Sequence, residues 1–323
     1  MENGIRYAIN RNNPDLWKDD TRKSVEQYNK WFLDFAPETY LRERASSIAR
    51  VRKAMQVTGG FRITQDTLLQ HPEYVTILRM ATVPPLARDR LIGLTGVKKA
   101  FVTSLEAGVL PKKMSVDDIA RELDKIVLVV NKLLDVELFP WLRDDANPVD
   151  NDLELAGCII ADRLCGTLSD PIIRNAQEKR QLDAIGGFLS NRGYRFVPSG
   201  EVMSFRDMEE GTYTCHLNVP VNLRNGKAVN IPVDVVIMRR DGNVKRLPLL
   251  IECKSAGDFT NTNKRRKEEA QKVEQLRATY GKDIDFVLFL CGYFDSGYLG
   301  YEAAEGIDWV WEHRIEDFLK CGI

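Results

Sequence analysis

At 323 residues, with 44% hydrophobic and 29% charged residues, the chain has ordinary globular composition and exceeds the usual size of one domain, so two domains are expected. A formal net charge of −1 excludes a globally basic protein, and any nucleic-acid partner must be met by local basic clusters. No apolar run approaches the roughly 20 residues of a membrane span, and the polar first twenty residues contain no signal-peptide core, so a cytoplasmic protein with no membrane partner is expected.

From Thr21 to about Asp144 the apolar residues recur at three- and four-residue spacings. They predict helices in "SVEQYNKWFLDF", "YLRERASSIARVRKAM" and "VDDIARELDKIVLVVNKLLDVEL", with breaks at Gly59-Gly60, Pro84-Pro85 and Pro111. Within this region "ARDRLIGLTGVKKAFVTSLEAGVLP" has the spacing of a helix-turn-helix. Gly96 sits at the turn, Val97 follows it, and Val102 and Leu105 serve as core positions of the second helix. Ile92 stands where a small residue is usual, so an ordinary helical hairpin is the competing reading. If the motif reads DNA, Lys98, Lys99, Thr103 and Ser104 are its exposed candidates. Arg88 and Arg90 add charge nearby unless they pair with Asp89 or another acid.

Arg143 to Asp152, "RDDANPVDND", mixes turn formers and acids and sets an expected division into domains 1–150 and 151–323. A helix is then expected from "SDPII", with Ser169 or Asp170 as cap and Pro171 in the first turn, running towards Leu189. On it Glu178, Leu182, Ile185 and Leu189 form one stripe directed at a sheet. An acid on such a stripe needs a partner, either Arg174 one turn back or a metal site. Strands follow in "YTCHLNVPVNL", "VNIPVDVVIM", "LPLLIECK" and "DFVLFLCGYF", with the helix "KRRKEEAQKVEQLRATY" before the last. This order describes a mixed α/β domain, and the crossover through that helix requires a parallel pair in the sheet.

"IPVDVVIMRRDGNVKRLPLLIECKS" reads as a hairpin with Asp241-Gly242 in the turn region. Alternation puts Leu249, Ile251 and Cys253 on one face, and Leu250, Glu252 and Lys254 on the other. Asp234 and Glu252 are equally far from Asn243, so without a bulge they meet across the two strands. Two such carboxylates repel unless a cation joins them, and their hard oxygens, completed by the Cys253 carbonyl, suit Mg²⁺. Lys254 reaches the same place, where an ammonium can orient or help to deprotonate a water and steady charge on a phosphate. The competing reading is a plain ion pair at a strand end. Lys264, Arg265, Arg266 and Lys267 then crowd a helix start, where the macrodipole disfavours each cation by about 0.3–1 kcal/mol. A polyanion would compensate; otherwise they form a solvated basic face, with Gln271 and Gln275 as weaker polar candidates.

Six scattered cysteines lack the close pairs of zinc sites or disulfide frameworks, which points to a reduced protein. His71, His216 and His313 are too dispersed in the sequence to suggest a metal cluster, and Trp31, Trp309 and Trp311 read as core.

Glu178, Asp234 and "ECK" together resemble the PD-(D/E)XK nuclease superfamily over roughly Asp170 to Phe294, a fold with a mixed sheet flanked by helices. Pro232 stands two places before Asp234 here. The resemblance implies that Asp234, Glu252 and Cys253 hold Mg²⁺, that Lys254 is the catalytic lysine, and that Glu178 assists. "NKWFLDFAPETYLRER", "RMATVPPLARDRLIGLTGV" and "PIIRNAQEKRQL" further resemble XamI-type restriction endonucleases. That implies a type II enzyme making sequence-specific double-strand breaks in DNA. A homodimer, a companion DNA methyltransferase and a helical region for DNA recognition and dimerisation are implied with it. A structure-specific repair or recombination nuclease of the same fold, or a DNA-binding module that does not cut, are the alternatives.

Overall fold

In a computed structural model of the chain, residues 8–144, 146–223, 226–240, 247–260 and 262–323 are described, with backbone alone for residues 262–266. The expected turn at Asp241-Gly242 lies outside the described residues. The chain forms two compact units, one of Met1–Phe35 with Arg174–Ile323 and one of Ala36–Ile173. Residue 150, near the expected division, opens a long helix, and residues 8–35 group with the sheet.

The helices in chain order are α1 (Pro14–Val57), α2 (Gln65–Gln70), α3 (Tyr74–Met80), α4 (Arg88–Thr95), α5 (Lys99–Glu106), α6 (Val116–Leu133), α7 (Pro140–Arg143) and α8 (Asp150–Ser190). Two stretches expected as separate helices are both part of α1, with Pro37 inside it. In α6, Ser115 caps the Asp118 N–H, and Ile119, Leu123, Ile126 and Val130 are buried at alternating steps of four and three. They join Leu68, Ile77, Leu91, Phe101, Val102, Leu105 and Leu164 in the core of the helical unit. α4 stops at Gly96, whose φ of 69° is a left-handed C-terminal turn that glycine tolerates best. Val97, Val102 and Leu105 are buried as their spacing predicts.

α8 begins about twenty residues before the expected start at Ser169. The Ser169 hydroxyl does not cap; it donates back to the Cys165 carbonyl at 2.6 Å, as serine does inside a helix. Pro171 is therefore an internal residue.

Beyond α8 the chain forms one mixed sheet of β1 (Arg195–Phe196), β2 (Thr212–Asn222), β3 (Ala228–Met238), β4 (Leu249–Ala256), β5 (Asp285–Gly292) and β6 (Asp308–Trp311), in that spatial order. The pairs β2–β3 and β3–β4 are antiparallel; β1–β2, β4–β5 and β5–β6 are parallel. α9 (Thr262–Tyr280) makes the predicted crossover between β4 and β5, and α10 (Ser296–Ala304) makes another before β6. The short strands β1 and β6 were not expected from the sequence. Leu249, Ile251, Val235 and Phe289 pack with Ile185 and Leu189 of α8 on one side of the sheet. On the other, Leu250, Val236, Leu288 and Trp309 pack with Val273 and Leu276 of α9 and Leu299 of α10. Each buried apolar side chain of this kind contributes about 1.5–3 kcal/mol.

The start of the chain braces the far edge of this sheet. The Ile9 and Asn10 backbone N–H groups donate to the Asp308 carboxylate at 2.6 and 2.9 Å, and Trp17 meets Trp309 edge-on at 5.4 Å. The Gly292 N–H donates to the Ser24 hydroxyl at 2.7 Å. Gly292 closes β5 with a φ of 104°, and a Cβ there would lie 2.0 Å from the Ala256 carbonyl oxygen, so no other residue fits without moving the end of β4.

Under α9 and α10 lies a buried acid pair. The Tyr298 hydroxyl donates to Glu269 at 2.7 Å, and Glu302 is fully buried beside them. Burial, and then the Glu269 carboxylate, push the Glu302 carboxyl far above the ordinary carboxylate range, to about 9. The folded state thus holds a proton that the unfolded chain releases near 4.5, so stability falls as pH rises between about 4.5 and 9. Glu302→Gln is expected to match the parent in thermal melting at pH 5 and to melt higher at pH 8.5; parallel pH profiles for the two proteins would contradict this.

Candidate active site

The hairpin ladder between β3 and β4 is short. It pairs Val235 with Ile251, Val236 with Leu250 and Ile237 with Leu249, and the same register carried one step further sets Asp234 opposite Glu252. At that point a side chain takes over from the strand: Asp234 Oδ2 accepts the Cys253 backbone N–H at 2.8 Å. The symmetry about Asn243 read from the sequence therefore holds.

Glu252 is 7% exposed and engages a cation on each oxygen. Its Oε1 lies 2.9 Å from Lys254 Nζ and its Oε2 lies 2.7 Å from Lys272 Nζ of α9. Lys254 Nζ is also 3.4 Å from Glu269 Oε1, and Lys272 Nζ donates to the Pro232 carbonyl at 3.0 Å. Asp234, Glu252, Cys253, Lys254 and Glu178 line one cleft of about 330 Å³, with Gln181 beside them. All the residues expected at the catalytic centre thus converge.

Electrostatics give these groups different states. Burial, followed by the neighbouring Glu252 carboxylate, pushes Asp234 up to about 6. Burial opposes the charge on Lys254, but Glu252 and Glu269 outweigh it and raise its pKa above the usual lysine value. Lys254 is therefore a firmly protonated ammonium, suited to holding negative charge and orienting water, and poorly suited to accepting a proton. Burial also raises the Cys253 thiol, which removes thiolate chemistry from the cleft, and raises that of nearby Cys215 to about 11. Two acids pressed together in a half-buried cleft, with oxygen donors around them, suit a hard divalent cation that would relieve their repulsion.

Glu178 ends the expected stripe, with Ile185 and Leu189 buried and Leu182 partly buried below it. It does not pair with Arg174. Its partner is His216, with Nε2 3.7 Å from Glu178 Oε1. His216 interrupts β2: the ladder to β3 is recorded at Cys215–Val235 and at Leu217–Val233 but skips the pair between them, and His216 has a φ of 57°. One ligand atom each from Glu178, His216 and Asp234 come within 4.8 Å of one another. The dispersal of the histidines along the sequence gave no sign of this, because a left-handed residue inside a strand leaves no mark in the alternation pattern. Lys272 and Glu269 were also missed. Their three-residue spacing beside Val273 and Leu276 marks the sheet-facing side of α9, and that phase was the available signal.

The expected DNA contacts are dispersed. Lys264, Arg265 and Arg266 have side chains outside the described residues, whereas Lys267 is exposed. In the helical unit Lys98, Lys99 and Thr103 are exposed, and Ser104 is half-buried with its hydroxyl donating to the Val109 carbonyl at 2.7 Å. Arg88 pairs with Glu106, and not with Asp89. Trp309 and Trp311 are core residues, and Trp31 stacks under the Arg180 guanidinium.

The family model of the XamI restriction endonuclease matches residues 61–311. This chain belongs to the XamI restriction endonuclease family. Its relatives include the type II restriction enzyme SalI of Streptomyces albus G, 48% identical over 97% of this chain and 99% of the relative. The type II restriction enzyme XamI of Xanthomonas campestris pv. amaranthicola is 25% identical over 60% of this chain and 62% of its own. No solved structure matches. Membership makes this family member a type II restriction endonuclease, a site-specific deoxyribonuclease. Among the described residues no helix is long and apolar enough to cross a membrane.

Gln181 shapes the floor of the cleft. It is 1% exposed, and its amide donates to the Phe289 carbonyl at 3.1 Å and the Lys254 carbonyl at 3.3 Å, tying α8 to β4 and β5. Gln181→Leu removes both bonds and should cost about 1–3 kcal/mol in denaturant unfolding. A loss under 0.5 kcal/mol, about the scatter of a neutral surface change, would show that the amide is not structural.

Proposed function

We propose that this enzyme cuts both strands of double-stranded DNA at its recognition site by Mg²⁺-dependent hydrolysis, with the cleft as a PD-(D/E)XK centre. The observation that carries the proposal is the convergence of Glu178, Asp234, Glu252 and Lys254 on one cleft. Asp234, Glu252 and the Cys253 carbonyl would hold the ion, with Glu178 at its side. Glu252 can reach it by releasing Lys272, for which the Pro232 carbonyl remains an acceptor. When bound, Mg²⁺ supplies Lewis acidity at a phosphoryl oxygen and a water of lowered pKa.

The chain's own groups supply the rest. Lys254, kept charged by Glu252 and Glu269, steadies the extra negative charge that develops on the phosphate as water attacks, and it orients that water by donating to it. Glu269 holds the ammonium from behind the cleft, so its direction is fixed before DNA arrives. We assign DNA recognition and dimerisation to the helical unit, with Lys98, Lys99, Thr103 and Ser104 of the α4–α5 motif as candidate contacts. Lys264, Arg265, Arg266 and Lys267 at the start of α9 are assigned to phosphates near the cut. A homodimer on a near-palindromic site, a companion methyltransferase protecting the same site and a cytoplasmic location complete the reading.

Plasmid DNA incubated with the enzyme and Mg²⁺ should give discrete fragments, and none with EDTA. Lys254→Ala should lose cleavage by about 100-fold or more while keeping DNA binding in a gel-shift assay. Structure-dependent nicking in place of fragments would point to a repair nuclease, and binding without any cleavage by the parent enzyme would refute the catalytic assignment.

A further inference from the structure

We infer that His216 is a nitrogen ligand of the enzyme's metal centre, forming with Glu178 and Asp234 a mixed N,O site that favours Mn²⁺ or Co²⁺ over Mg²⁺. This rests on the metal-dependent reading above and adds a ligand to it from β2, a strand that carries none of the motif residues Glu178, Asp234, Glu252 and Lys254.

The geometry comes from an interruption in β2. A residue whose side chain belonged to the regular pleat would pair across to Asp234, because the flanking pairs Cys215–Val235 and Leu217–Val233 fix the register. His216 instead takes a φ of 57°, and its ring reaches Glu178 of α8 at 3.7 Å. Neighbouring donors around an octahedral ion with bonds of about 2.1 Å lie about 3 Å apart. The three atoms, within 4.8 Å of one another, need small side-chain rotations to meet that spacing, and the half-exposed His216 and Glu178 are free to make them.

Asp234 and Glu178 also line the cleft that holds Glu252 and Lys254, so this donor set adjoins the proposed hydrolytic centre. On its other side Glu178 and His216 line a recess of about 650 Å³ between α8 and the β1–β2 edge, so both side chains are reached from open space. Mg²⁺ is a hard ion that takes oxygen ligands and gains little from imidazole, whereas transition ions such as Co²⁺ accept nitrogen readily and Mn²⁺ accepts it more readily than Mg²⁺ does, so replacing an oxygen donor by imidazole moves the balance away from Mg²⁺. Nitrogen among the donors is what sets this site apart.

The test uses the full chain with Mn²⁺ as the probe, in the absence of DNA, and reads pulsed electron paramagnetic resonance of the bound ion. Bound Mn²⁺ is expected to show ¹⁴N modulation from one imidazole. His216→Asn is the variant of choice, because asparagine tolerates a positive φ and offers an oxygen in the same place. It should keep Mn²⁺ binding, lose the ¹⁴N modulation, and narrow the preference for Mn²⁺ over Mg²⁺ by about tenfold or more. Mn²⁺ bound to the parent protein without ¹⁴N modulation, or modulation that survives His216→Asn, would overturn the inference while leaving a metal site intact. No bound Mn²⁺ at all would overturn both it and the metal-dependent reading beneath it.

Discussion

Two carboxylates held at the end of a short antiparallel ladder are the constraint on which the rest of this structure depends. Asp234 and Glu252 are brought together by strand register, and their mutual repulsion has to be met by something. Protein groups meet it on one side: the Cys253 N–H on Asp234, and the ammoniums of Lys254 and Lys272 on Glu252. What remains is an acidic cleft whose further neutralisation by a cation would be favourable. The two cores that sandwich the sheet keep this arrangement from relaxing, because any shift of β4 by one residue would exchange Ile251 with Glu252 between a dry face and the cleft.

Polar contacts run from the cleft into the core behind it. Glu302, deepest and fully buried, is held protonated. Glu269 beside it meets Lys254 through one oxygen and accepts the Tyr298 hydroxyl on the other. Lys254 is in turn kept charged, and Glu252 beside it faces the cleft.

Much of this was legible in the sequence where the signal was periodic. The alternation in "PLLIECKS" separated Ile251 from Glu252 correctly, the equal distances from Asn243 gave the register, and the Glu178–Leu182–Ile185–Leu189 stripe faced the sheet. The helix-turn-helix-like spacing placed Val97, Val102 and Leu105 in a core. What escaped was aperiodic or long-range. Ser169 next to Pro171 carries the residue types of a cap, but its hydroxyl turned back to Cys165. His216 is a single distorted residue with no pattern around it. β1 and β6 are two and four residues long, too short for alternation to register, and nothing local in residues 8–35 says that they brace a sheet almost three hundred positions away.

That brace has a bearing on biosynthesis. The hydrogen bonds from Ile9 and Asn10 to Asp308 span separations of 299 and 298 residues, and contacts of such long sequence separation form late and slowly. A ribosome-bound chain has β3 and β4, which carry the candidate site, made well before the edge that steadies them exists. The sheet is therefore completed only after β6 has been made, and any shorter product of translation lacks that edge.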